Sequence, residues 1–264
     1  VAGARVEAQL QLTIALVPER RGTIFLLLGV LAWVAAGLIG AVVAATLLGV
    51  GALLLRQTGF AFVPEPGVLS YVLLGSTVFQ GTLLLSALRQ GRLAGHGDRR
   101  AGLGIRPITH GGQVALLCVV MIVCLLAFVL LAARIPALRE FAKSVTPDIM
   151  ARLIEGGPFA VAVKVVLAVI LAPVSEELFF RGWFWEALRR RGHAVATTAC
   201  VTALPWLLLH GLDSPERIVF LIPAAVVFSL ARHRGGGVLA SLIVHVTNNT
   251  AAVLLEVIAV IAGT

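Results

Sequence analysis

Charge is what this chain has least of. Only 13% of its 264 residues are Asp, Glu, Lys or Arg, while 59% are hydrophobic, and the mean hydropathy is +1.00. Soluble domains carry roughly 25% charged residues, so a soluble globular fold is excluded. Cysteine is scarce too: Cys118, Cys124 and Cys200 lie in apolar segments and are odd in number, giving neither a disulfide frame nor zinc-knuckle spacing. Aspartate occurs only at 98, 148 and 213, in expected loops or at a helix end, which argues against a membrane aspartyl dyad. No His-Glu-x-x-His occurs, so a zincin helix is not expected. There is no internal repeat, low-complexity stretch or interdomain linker. Residues 1–21 are mixed and amphipathic, and no cleavable signal peptide is expected there.

What remains is long, unalternating apolar sequence. Such runs predict an all-α, polytopic membrane bundle, since only helices and closed barrels satisfy their backbone in lipid. Seven spans are expected: Thr23–Leu55, Gly67–Leu88, Gln113–Ala133, Phe159–Phe184, Ala194–Leu212, Arg217–Ala231 and Val238–Ile261. The first is too long for ~30 Å of hydrocarbon and must tilt, protrude or bend near its glycines. The mixed 134–157 loop is expected to form an amphipathic interfacial helix. The breakers in Pro64-Glu65-Pro66 and the Gly-rich 91–112 region predict loops. The whole chain, 1–264, reads as one membrane domain.

The net charge of +8 is not a nucleic-acid signature, because the arginines sit at helix ends. Arg20, Arg21, Arg89, Arg92, Arg99, Arg100, Arg106, Arg189–Arg191, Arg232 and Arg234 fall on one side. Arg56, Arg134, Arg139, Lys143, Arg152 and Arg217 fall on the other. The imbalance predicts the N-terminus inside and the C-terminus outside. With the many Ala, Gly and Arg residues, it points to a bacterial inner membrane.

Ionisable groups inside spans cost roughly 2.5–3.5 kcal/mol each on insertion scales and mark functional sites. Residues 1–133 place none there, so the chemistry is assigned to the second half. That half carries Glu176-Glu177-Leu178-Phe179-Phe180-Arg181-Gly182, then Trp206-Leu207-Leu208-Leu209-His210, then His245-Val246-Thr247-Asn248-Asn249. A turn near His193 sets Glu176 level with His210 on antiparallel helices. His245 joins them if Trp183–Arg191 projects as a basic hairpin tip. Spacing of four puts Glu177 with Arg181, and His245 with Asn249, on one helical face. Trp206 lies a turn from His210 and can fix its ring. Glu176 and Glu177 point about 100° apart; one can face a cavity while the other binds Arg181, and spacing does not say which. The chemistry that fits is amide hydrolysis. A carboxylate and an imidazole activate water, while an imidazole and a carboxamide donate to an oxyanion. Lys164 is expected to snorkel at its helix end, and Glu256 to sit at the rim.

These motifs resemble the CAAX protease and bacteriocin-processing family of intramembrane proteases, also called the type II CAAX prenyl endopeptidase or abortive-infection family. The resemblance covers roughly residues 155–262. It implies an endopeptidase acting on a membrane-embedded or lipidated peptide or protein. Glu176 and His210 would activate the water, His245 and Asn249 would stabilise the oxyanion, and Glu177 and Arg181 would support the site. Trp206 stands where the family commonly has Phe. The family has also been described as metalloproteases, and zinc would take Glu176, His210 and His245 with one open position; the glutamate-and-water reading needs no metal. Two other classes remain on residues alone: a proton-coupled transporter, and a catalytically silent scaffold or immunity-type protein.

Overall fold

The computed structural model describes residues 2–57, 68–145, 157–212 and 214–262. Side chains are described for 22–57, 70–144, 157–212 and 214–259. Among these residues there are nine helices and no strand: α1 Ala2–Gln57, α2 Val68–Ala94, α3 Arg99–Leu103, α4 Gly111–Arg134, α5 Pro136–Val145, α6 Pro158–Arg190, α7 Val195–His210, α8 Pro215–Arg234 and α9 Val238–Ala262. Long apolar runs with backbone bonds closed internally account for them. By length and composition α1, α2, α4, α6 and α9 can cross a membrane. The other two expected spans are present as α7, a short apolar helix of 16 residues, and α8.

Breakers set the boundaries. α4 stops just before Pro136, which disfavours helical backbone at the preceding residue. Pro158 and Pro215 open α6 and α8, where a missing N–H costs nothing. Asp98 caps α3 by accepting from the Arg100 N–H at 2.8 Å. The expected loops Pro64-Glu65-Pro66 and the segment holding Asp148, Arg152 and Glu155 lie outside the described residues. So does Asp213.

α1 stays helical throughout, so the excess length of its apolar run is taken up by tilt or protrusion and not by a break. It pairs with α2, and α2 packs against α6. α9 lies against α4, α6 and α8. α5 turns its apolar side inward: Phe141 meets Phe128 of α4 and Phe220 of α8, at centroid distances of 6.3 and 6.5 Å.

The second half of α6 is buried without interruption from Phe179 to Leu188. Within the expected basic tip Trp183–Arg191, Trp183–Leu188 is buried against the rest of the protein, and Arg189 and Arg190 are exposed. Glu186 is buried there and pairs with Arg232 of α8 and, at 3.1 Å, with Arg106. Gly104 closes over this pair with φ 62°. A Cβ on it would stand 2.5 Å from Arg232 Nη2 and 2.6 Å from Glu186 Oε1, so a side chain there would have to displace the pair as well as adopt a backbone angle that favours glycine. Arg190 donates to the Ala101 carbonyl at 2.8 Å, and Thr109 N–H to the Gly235 carbonyl at 3.2 Å. The segments grouped by charge as one side thus meet at one end of the bundle. At the other end Ser214 binds the Ser144 carbonyl at 2.9 Å. Lys164 and Glu256, expected to act singly, join α6 to α9 there in a half-buried pair at 2.6 Å.

Candidate functional site

Two stretches of α6 wind as π-turns, Val166–Leu171 and Glu177–Phe184, with one ordinary α-turn, Ala172–Glu176, between them. Pro173 explains the first. The Ala172 N–H bonds the Leu167 carbonyl in π register. The next residue, Pro173, has no N–H to give Ala168. Asn249 of α9 fills that vacancy, its Nδ2 donating to the Ala168 carbonyl at 2.8 Å. Asn248 donates in turn to Asn249 Oδ1 at 3.2 Å, fixing which way the amide points. π-Turns inside α-helices are frequent at functional sites, and the three ionisable residues of α6's motif follow directly.

The two adjacent glutamates separate. Glu177 and Arg181 are fully buried and pair at 3.2 Å, as their spacing predicts. Glu177 Oε1 also accepts from His245 Nδ1 at 3.0 Å; a carboxylate only accepts, so the imidazole nitrogen is the donor. His245 stacks on Phe228 at 4.3 Å. The Arg181 guanidinium lies over Trp206 at 4.9 Å and near Phe228 at 5.7 Å. Among the described residues its Nε and Nη2 have no hydrogen-bond acceptor, so these aromatic faces stand in for one.

Glu176 turns the other way, into a cavity of ≈ 290 Å³ that His210 also lines. Trp206 Nε1 donates to Glu176 Oε2 at 2.6 Å. Gln80 Nε2, from α2, donates to Oε1 at 2.9 Å. His210 Nδ1 donates to the Trp206 carbonyl at 2.8 Å, leaving Nε2 as the nitrogen with a free lone pair. Trp206 thus sits between the two histidines, 4.4 Å from the His210 ring and 6.0 Å from that of His245. The opposite cavity wall comes from α1 and α2, through Leu38, Ala41, Gly75 and Phe79.

The structure therefore brings Glu176, Trp206 and His210 to one cavity. It sets Glu177, Arg181 and His245 in a buried cluster behind Trp206, and ties Asn249 to the first π-turn. Assigning the chemistry to the second half alone was too narrow, because Gln80 of the first half holds the carboxylate. A glutamine in an apolar helix, outside any spaced motif, carries no signal by which sequence reading could select it. Among the described residues no group of three His, Cys, Asp or Glu side chains is placed to hold a metal ion.

Residues 158–251 match the family described as Rce1-like, type II CAAX prenyl endopeptidase, the same family that the three motifs resemble. All three motifs fall inside the match; α1, α2 and Gln80 fall outside it. No curated protein and no solved structure matches the chain. The match supports a CAAX-type intramembrane endopeptidase in general.

Proposed function

We propose that this chain cuts a peptide bond of a membrane-embedded or lipidated substrate with water activated by Glu176 and His210. One observation carries the reading: two residues from separate helices, Glu176 and His210, line one cavity, and both oxygens of the carboxylate are already held by N–H donors.

The chemistry follows from the lone pairs. Each Glu176 oxygen has a second acceptor direction left for a water proton. His210 Nε2 accepts the other proton of the same water and orients it. Glu176 takes a proton as the water oxygen bonds to the scissile carbonyl carbon, and the carbonyl oxygen becomes the oxyanion. The oxyanion role that the family resemblance implies for His245 and Asn249 would need them to reach this cavity, which neither lines: His245 is held against Glu177 and Asn249 against the Ala168 carbonyl. Glu176 then returns its proton to the departing amine as the C–N bond breaks. No step requires a metal.

The test is cleavage of a quenched fluorogenic membrane-peptide library by the purified protein and by Glu176→Gln, with and without a strong chelator. The expected outcome is cleavage that survives chelation and disappears in the variant. Loss under chelation would favour zinc chemistry. A variant that still cleaves would remove Glu176 as the base. A protein that cleaves nothing but moves protons would be a transporter.

A further inference from the structure

We infer that Gln80 is a positioning residue for Glu176, supplied by a helix outside the family match, so that the site is incomplete without α2. The inference rests on the reading of Glu176 as the base.

The geometry leaves the amide one useful orientation. A carboxylate offers no donor, so Gln80 must turn its NH2 toward Glu176 Oε1, at 2.9 Å. Its carbonyl oxygen then faces Ser175, whose buried hydroxyl donates to it. Ser175 is next to Glu176 in sequence, so α2 grips two successive residues of α6 through one side chain. This also places the Ser175 hydroxyl: its proton is committed to Gln80 or to the Leu171 and Ala172 carbonyls, at 2.8 and 3.0 Å, and is not a nucleophile's. Gln80 itself lines the cavity beside Glu176 and His210.

Trp206 alone would hold one carboxylate oxygen and leave the group free to swing about that bond. A second donor on the other oxygen, from a different helix, fixes the plane of the carboxylate. Preorganised donors of this kind act on the reaction step more than on substrate binding. Hydrogen bonds to a charged acceptor are also about twice as strong as neutral ones.

Gln80→Leu removes the donor and keeps the bulk. The expected result is a kcat lower by about tenfold to hundredfold, with KM against the same peptide library and the thermal midpoint in detergent both little changed. Gln80→Glu preserves size but sets a second acid against Glu176, and it is expected to lower kcat at least as far. Infrared spectroscopy gives an activity-independent readout. The carboxylate band lost in Glu176→Gln must shift in frequency in Gln80→Leu. A wild-type kcat and an unshifted band in Gln80→Leu, with Glu176→Gln inactive, would overturn the inference and leave the proposed function standing. An active Glu176→Gln would instead remove the proposed function, and the inference with it.

Discussion

Arg181 illustrates how much a single buried charge depends on its neighbours. It has no access to solvent, one carboxylate at 3.2 Å, and two aromatic faces. Removing one member of such a pair leaves an uncompensated buried charge, which costs about 3–5 kcal/mol, whereas replacing both by apolar groups is often neutral. Arg181→Leu is therefore expected to lower the thermal midpoint sharply. Glu177→Gln combined with Arg181→Leu should recover part of that loss, measured by unfolding in the same detergent. Equal or additive losses would show that the two side chains are not coupled. Sequence spacing made this pair legible, because i,i+4 neighbours on a helix face each other. It could not say that Glu177, and not Glu176, is the one turned inward. That choice depends on His245 from α9 and on Gln80 from α2, both remote in sequence.

At the scale of the element, α6 is the helix whose irregularity matters. Its apolar run placed the helix at Phe159–Phe184, against Pro158–Arg190 in the structure, but an apolar run carries no sign of a π-turn. The signal that could have found it is Pro173, which leaves one carbonyl upstream without its donor, together with a carboxamide on another helix free to replace that donor. Pro173→Ala restores the N–H and allows the turn to tighten to α register. Glu176 would then rotate relative to Trp206. The expected outcome is a lower kcat with a thermal midpoint equal to or above the wild type. Asn249→Ala leaves the Ala168 carbonyl unpaired instead, and is expected to cost about 1–3 kcal/mol of stability, read from the same unfolding curves. The buried end of α6 was also illegible. Glu186, Arg189, Arg190 and Arg191 read as a charged tip, yet Glu186 turns inward because Arg106 and Arg232 both reach it.

For the molecule as a whole, sequence reading recovered the class, the helices and the segregation of basic segments to one end. It missed that the N-terminal half takes part in the site. The two ends differ in charge, and from the positive-inside rule we propose that the basic end faces the cytoplasm. In a background without Cys118, Cys124 and Cys200, a cysteine at exposed His96 is expected to be protected from a membrane-impermeant maleimide in intact cells. A cysteine at exposed Lys143 is expected to react. The reverse pattern would invert the topology.

The contact between Gln80 and Glu176 spans 96 residues of chain, and that separation is also an interval of time. Chains are synthesised at about 5–20 residues per second, N-terminal parts first. Gln80 therefore emerges about 5–20 s before the carboxylate it binds. Throughout that interval the α1–α2 hairpin holds an amide among apolar side chains with no acid to meet, and then α6 arrives with two glutamates and an arginine in one turn and a half. Whatever keeps the early hairpin from pairing elsewhere during those seconds decides how many copies of the chain acquire a complete site.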